Sequence, residues 1–236
     1  MIEACGDVRG LRVLDCGCGE GRFCRMLLDR GAEQVVGVDL CPLMVAAAGQ
    51  LASGKDAYVL ANVQDMGFLR DSTFDVAVSY LNQCDLPDFE ANSQEVFRLL
   101  KPGGRFIIAN LHPMRSAVGG WLRTKDGTKL HVILDRYFDE GGRRWKMLGI
   151  DFTNFHRTLS TYIRVYRQTG FAVEQIIEPT LEAETLTRFP ELDDELRVPN
   201  FIVVVLGKSK CEQAVPTYRE AQDITKPAQN CLRLQR

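Results

Sequence analysis

Apolar and polar positions along the chain fall into two alternating rhythms. Leu11-Arg12-Val13-Leu14-Asp15-Cys16 is a short, nearly unbroken apolar run ending in a glycine cluster, which predicts a buried strand. From Gly21 to Arg30, Phe23, Met26 and Leu27 recur on one helical face, and Gly31 stops the helix. Val35-Val36-Gly37-Val38-Asp39 predicts a second strand, and Pro42 suits the first turn of a helix carrying Met44, Val45 and several alanines. Ala57 to Leu60 and Phe74 to Ser79 predict two further strands, Ser93 to Leu100 a helix, and Arg105 to Ala109 a fifth strand after Lys101-Pro102-Gly103-Gly104. Strands without polar gaps, alternating with helices, predict a parallel sheet covered on both faces. The class is α/β and doubly wound, and ligands in such sheets bind beyond the carboxyl ends of the strands.

The alternation breaks at Leu111. Leu130 to Phe138 and Arg143 to Leu148 flank Asp139-Glu140-Gly141-Gly142 and predict an inserted β-hairpin after the fifth strand, within an insertion of about residues 111–156. A helix over Leu159 to Thr169 follows, capped by Thr158 or Ser160 and stopped by Gly170. Phe171 to Ile177 and Phe201 to Leu206 complete the strands. One domain over residues 1–208 is expected, with a polar, aperiodic tail over residues 209–236.

Composition excludes more than it assigns. The chain of 236 residues carries a formal net charge of -2, which gives no basic footprint for nucleic acid. No apolar stretch is long enough to span a bilayer, and Met1-Ile2-Glu3-Ala4-Cys5 does not open a secretory signal. The expectation is a cytoplasmic protein with no membrane partner and reduced thiols. With 8 Cys, only 3 His and no C-x-x-C pair, no metal site is expected.

The strongest chemical signal is Val13-Leu14-Asp15-Cys16-Gly17-Cys18-Gly19-Glu20-Gly21. Three glycines let main chain turn sharply and approach a ligand, and the helix start behind them favours an anion. Asp39 closes the next strand about twenty residues on, the placement of an acid that takes two ribose hydroxyls. A dinucleotide site wants its third glycine at position 22, where Arg22 stands, so a nicotinamide dehydrogenase is disfavoured.

This motif resembles the first motif of the class I S-adenosylmethionine-dependent methyltransferases. Val36-Gly37-Val38-Asp39-Leu40-Cys41-Pro42-Leu43-Met44 resembles their second segment, with Cys41 at a usual Ser. Asn62-Val63-Gln64-Asp65-Met66-Gly67-Phe68 resembles their adenine loop, with Asn62 at a frequent acid. Phe74 to Ser79 and Arg98 to Gly104 match later motifs, while the second half is only loosely similar to ubiquinone/menaquinone-biosynthesis methyltransferases. The resemblance implies a mostly parallel seven-stranded Rossmann-like sheet whose last inserted strand is antiparallel. It implies S-adenosylmethionine as cofactor, with S-adenosylhomocysteine as product. It carries cofactor binding onto Asp15, Gly17, Cys18, Gly19, Gly21, Phe23, Asp39, Leu40, Met44, Asn62, Val63, Gln64 and Tyr80. Asp39 would hold the ribose, Leu40 would pack on adenine, and the Asn62 carbonyl would meet the adenine amino group.

Methyl transfer needs alignment above all, and a base only where the nucleophile must lose a proton. Candidate proton acceptors are His112 after the fifth strand, His156 before the helix after the hairpin, and Asp85, which with Tyr80 and Asn82 follows the fourth strand. Trp121, Tyr137, Phe138 and Trp145 would form an apolar lid, or else a small hairpin core or dimer arm. Cys24 and Cys84 bring thiol-dependent arsenite methylation to mind, but the second-half cysteine pair it would want is missing. Neither an Asn-Pro-Pro-Tyr nor a Pro-Cys motif for nucleic-acid methylation occurs. The reading is therefore methyl transfer to an oxygen or nitrogen of a small molecule. A non-catalytic S-adenosylmethionine-binding or interaction module of the same fold is the alternative. Only Met1 to Gly10 precede the first strand, where relatives commonly carry helices that close over the site; the alternatives are a truncated chain, a site completed by another subunit as in a homodimer, or an open site, with the insertion as a substitute lid.

Overall fold

The computed structural model describes residues 1–147 and 149–210. Five strands lead to the insertion, with a helix between each consecutive pair except β3 and β4: β1 (Arg12–Cys16), α1 (Arg22–Asp29), β2 (Gln34–Asp39), α2 (Pro42–Gln50), β3 (Asp56–Leu60), β4 (Phe74–Tyr80), α3 (Phe89–Leu99) and β5 (Leu100–Leu111). The insertion holds α4 (Pro113–Ser116), β6 (Val118–Arg123), β7 (Lys129–Leu134), β8 (Gly141–Met147) and β9 (Ile150–His156). It is followed by α5 (Leu159–Thr169), β10 (Ala172–Ile177), α6 (Ala183–Arg188) and β11 (Phe201–Gly207). The main sheet runs β10-β11-β5-β4-β1-β2-β3, with β11 antiparallel to both of its neighbours and the β1–β5 pairings parallel. The expected seven-stranded sheet and its antiparallel inserted strand are both present.

Two apolar layers explain why β1 is apolar at Val13, Leu14 and Cys16. Leu14 and Cys16 face a cluster with Phe89, Val96 and Leu99 of α3 and Tyr162, Val165 and Tyr166 of α5. Val13 faces the other side, with Cys24 and Leu27 of α1 and Cys5 and Val8 of the N-terminal segment. Consecutive residues on one strand are thus buried on opposite faces, as a doubly covered sheet requires.

Gly37 marks how tightly these layers meet. A Cβ there would lie 2.8 Å from both Cys18 Sγ and Tyr58 Cδ1. Gly37→Ala is therefore expected to lower unfolding free energy by about 1–3 kcal/mol through overpacking, read as a shift in the denaturant midpoint. An unshifted midpoint would show that this contact gives way freely.

Helix ends follow local chemistry. α3 begins four residues before the expected Ser93, because Asp88 Oδ1 accepts from Ala91 N at 2.9 Å and starts the helix early. Thr158 caps α5 by accepting from Thr161 N, and Gly170 ends it at φ 112°.

The insertion follows β5 as expected, but its pairing differs. Leu130 to Phe138 does not pair with Arg143 to Met147, and Leu148, the last residue of that expected strand, lies outside the described residues. β7 pairs with β6, and β8 pairs with β9, giving two separate hairpins. Asp139 and Glu140 are occupied in joining them: Asp139 binds the Arg136 guanidinium, and Glu140 Oε1 accepts from both N and Oγ1 of Thr158 at 2.8 Å. From residue 211 onward, the expected polar tail lies outside the described residues. Among the described residues no helix is long and apolar enough to cross a membrane.

Candidate cofactor and active site

The glycine loop is built from the carboxyl end of β1 outward. Gly17 N and Cys18 N both donate to Val38 O, at 2.8 and 3.2 Å, so the loop is knitted to the end of β2. Gly17, Gly19 and Gly21 all take positive φ, at 77°, 54° and 79°, where a side chain is disfavoured. Gly21 is the N-cap of α1. A Cβ on Gly19 would meet nothing within 4 Å, so the corner is open there. At Gly17 the Asn82 side chain lies directly across, its Cγ 2.4 Å from a would-be Cβ.

Asp39 turns toward this corner. Its Oδ2 accepts from Gly19 N and its Oδ1 from Cys41 N, both at 2.8 Å. Each oxygen keeps a lone pair, so the carboxylate can still accept from a pair of hydroxyls. Leu40, 68% exposed, follows it, and Met44, Leu60 and Tyr80 are exposed near the same sheet edge. Tyr80 stacks on Phe23 with ring centroids 5.9 Å apart. Exposed apolar side chains gathered at one edge suit a flat apolar ligand face.

Asp15 lies beneath the loop, fully buried, with Cys24 Sγ donating to its Oδ2 at 3.1 Å. Its Oδ1 has no partner among the described residues. Burial pushes the carboxyl up to about 7; the Cys24 hydrogen bond opposes this, and the nearby Asp39 charge adds to it. Between the unfolded value near 3.8 and about 7, the native state holds a proton that the unfolded chain has lost. Unfolding free energy therefore falls with rising pH across that window. In Asp15→Asn this loss is expected to vanish, checked by denaturant midpoints at pH 5 and pH 8. An equal fall in both proteins would place the titration elsewhere.

The adenine-loop candidates divide. Asn62 Oδ1 accepts from Gln64 N at 3.0 Å in a local turn and keeps a second lone pair. Val63 has its side chain in the core, and Gln64 Oε1 accepts from Asp88 N at 3.0 Å. The Val63 side chain is therefore spent on packing and the Gln64 side-chain oxygen on the start of α3, while Val63 O accepts from Asn92 Nδ2 at 3.0 Å and Gln64 N is held by Asn62. Cys18 is held by its surroundings: its thiol packs on Gly37, its N–H donates to Val38 O, and its carbonyl accepts from Gly21 N at 3.0 Å.

The three proton-acceptor candidates also divide. His112 Nδ1 accepts from Met114 N at 3.1 Å as the cap of α4, which places its proton on Nε2, 3.0 Å from Glu178 Oε1. His156 is fully buried; Nε2 donates to Tyr137 O at 2.7 Å, and Nδ1 lies 2.6 Å from Ser116 Oγ. Burial lowers the pKa of both rings; both nitrogens of His156 are engaged, whereas His112 Nε2 lies 3.0 Å from Glu178 Oε1 without a directed hydrogen bond among the described residues. In each ring Nδ1 is already met, by Met114 N at His112 and by Ser116 Oγ at His156. Asp85 is different. It sits exposed on a single 3-10 turn, Gln83–Asp85, just after β4, and partial enclosure raises its carboxyl above the ordinary range.

The expected aromatic lid does not assemble as one cluster. Trp121 stacks under Arg197, with Cζ 4.5 Å from the ring centroid; Trp145 meets Arg115 and Phe152; Tyr137 meets Phe138 and His156. Sequence reading also missed residues that shape the site. Leu81 takes φ 53°, rare for a branched apolar residue, held by its N–H to Ala109 O at 2.8 Å. That turn presents Asn82 to Gly17. Arg157 is buried, and binds the carbonyls of Leu86 and Pro87 at 2.6 and 2.9 Å.

Known proteins share this arrangement. The methyltransferase domain family model matches residues 14–108. A crystal structure from Listeria monocytogenes, assigned to the S-adenosylmethionine-dependent methyltransferases, is 32% identical, with TM-score 0.80, covering 88% of this chain and 94% of its own. An S-adenosylmethionine-dependent methyltransferase from Mesorhizobium loti is 33% identical, with TM-score 0.77, over 85% and 92%. The chain belongs to the S-adenosylmethionine-dependent methyltransferases. A ubiquinone biosynthesis O-methyltransferase from Xanthomonas oryzae is 36% identical over 115 residues, 47% of each chain, so its likeness to this methyltransferase spans about half of either protein. The nicotinamide reading falls with the membership. The residues present fit the cofactor: an open glycine corner, a carboxylate facing it, an apolar edge, and Asn82 Nδ2 buried without a partner among the described residues.

Proposed function

We propose that this methyltransferase acts on a small molecule through an oxygen or nitrogen acceptor, and that Asp85 takes the acceptor's proton. The observation that carries the reading is the contrast among the three titratable candidates: both histidines are buried with Nδ1 already met, while the Asp85 carboxyl is exposed beside the cofactor edge and less acidic than usual. A raised carboxylate pKa makes a better proton acceptor near neutral pH.

In this reading Asp39 holds the ribose hydroxyls, Leu40 and the Phe23–Tyr80 stack flank adenine, and the loop from Gly17 to Gly21 receives the amino-acid end. Asn82 is placed to donate to a carboxylate there. Bound S-adenosylmethionine supplies an electrophilic methyl group on a sulfonium. The chain's task is to align the acceptor, exclude water along the apolar edge, and give the departing proton a place at Asp85.

Named relatives span several acceptors, including a malonyl-[acyl-carrier protein] O-methyltransferase and a sterol 4-C-methyltransferase, each matched over about a hundred residues. Those matches are consistent with a shared cofactor end and an acceptor end that differs between proteins. Incubation with methyl-tritiated S-adenosylmethionine and a cell extract, fractionated by size, tests the reading. Label is expected in the small-molecule fraction, and Asp85→Asn is expected to reduce it by about 10²–10⁴-fold with cofactor affinity unchanged. Label confined to protein or nucleic acid would sink the proposal.

A further inference from the structure

Asn154 lies in β9, the last strand of the insertion, and only 1% of it is exposed. Its Nδ2 donates to Asp85 Oδ1 at 3.4 Å, a contact spanning 69 positions of sequence. An ionised carboxylate only accepts, so this contact fixes which way the amide points. The other end of the amide, Oδ1, is buried with no partner among the described residues. A half-satisfied amide in a core is costly, and an apolar side chain would fill the space without that cost.

The backbone of the Asp85 turn does not need Asn154. Cys84 N donates to Asn110 Oδ1 at 3.2 Å, and Arg157 holds the carbonyls of Gln83, Leu86 and Pro87. The Gln83 side chain is pinned by Tyr166 Oη at 2.6 Å and Asn92 Oδ1 at 3.2 Å. The turn is thus locked from β5, α3, α5 and the residue after β9. What Asn154 adds is a contact with the Asp85 carboxyl itself, beside the neighbouring Cys84 thiol, which the same amide also meets.

We infer that Asn154 is a positioning residue for Asp85: its amide holds Oδ1 and leaves Oδ2 to receive the acceptor's proton, so that the proton acceptor is set only when the inserted strand is in place. This rests on the reading of Asp85 as proton acceptor. The groups that act on the carboxyl are Asn154 of β9 and Cys84 of its own turn, while the Arg157 guanidinium is spent on the carbonyls of the turn. Burial pushes the Cys84 thiol up to about 12, so it stays neutral at working pH.

The test is a carboxyl-carbon NMR titration of the full chain, with the Asp85 signal assigned by its loss in Asp85→Asn. Removing a donor to the ionised form disfavours that form, so the Asp85 midpoint is expected to move upward in Asn154→Leu. S-adenosylmethionine affinity by calorimetry is expected to stay within twofold of wild type. Asn154→Ser gives the same reading should the leucine variant fail to fold. An unmoved midpoint in a folded variant overturns the inference. The acidic limb of the pH profile for label transfer is expected to move in the same direction. Should Asp85→Asn retain full transfer while the midpoint still shifts, the proton-acceptor reading fails and the Asn154–Asp85 contact stands.

Discussion

Asp39→Ala is expected to weaken S-adenosylmethionine binding by about a hundredfold, close to 3 kcal/mol, with the chain still folded. The carboxylate stands between two loops, taking Gly19 N–H on one oxygen and Cys41 N–H on the other, each at 2.8 Å. Its remaining lone pairs are the acceptors for the ribose hydroxyls. Hydrogen bonds to a charged group contribute about 1.5–3 kcal/mol each, and two that share one carboxylate do not add fully. The alanine also frees the glycine loop from its tether, which acts in the same direction. Asp39→Asn keeps one acceptor oxygen and is expected to fall between. Calorimetric titration with S-adenosylmethionine and S-adenosylhomocysteine reads the effect. Affinity within threefold of wild type would mean that the ribose lies elsewhere.

The cofactor half is legible in sequence because its determinants are local. The strand, the glycines and the helix start are contiguous from Leu11 to Arg30, and Asp39 follows at the end of the next strand. The insertion is less legible because its pairing is decided at a distance. Leu130 to Leu134 reads as a strand, but nothing in its alternation says whether β6 or β8 lies beside it. The turn signal that fits the observed pairing is Asp126-Gly127, with Gly127 at φ 92°, rather than Asp139 to Gly142. The fate of the histidines is harder still. His156 looks like a free base until Ser116 and the Tyr137 carbonyl close on its two nitrogens, and both come from other parts of the insertion.

The same distance dependence separates binding from chemistry in this fold. Asp39 and the glycine loop are set by the sheet edge, and Gly17, Cys18 and Asp39 are all tied to one another through β2. Asp85 is set by a buried polar network drawn from α3, β5, β9 and α5. Changes in the insertion should thus alter transfer while leaving cofactor affinity nearly intact, whereas changes in the glycine loop should do the reverse.

Gly19→Ala should show that second separation most sharply: a modest loss of stability and a large loss of cofactor affinity. At φ 54° an alanine adopts the left-handed region at a cost of about 1–2 kcal/mol, and the new methyl meets no atom within 4 Å. For a chain of this size that corresponds to a fall in melting temperature of about 2–8 °C. The methyl projects into the open corner that is to receive the cofactor, so S-adenosylmethionine affinity should drop at least about tenfold through the same overlap that the empty corner avoids. Gly17→Ala differs. Its Cβ would lie 2.4 Å from Asn82 Cγ, so strain and collision combine, and stability should fall further than in Gly19→Ala. Pairing Gly17→Ala with Asn82→Ala removes the obstacle and should recover part of that loss, a coupling that a double-mutant cycle on denaturant midpoints measures. Wild-type affinity in Gly19→Ala would show that the cofactor does not use this corner, and the placement of every other contact would have to be redrawn around that result.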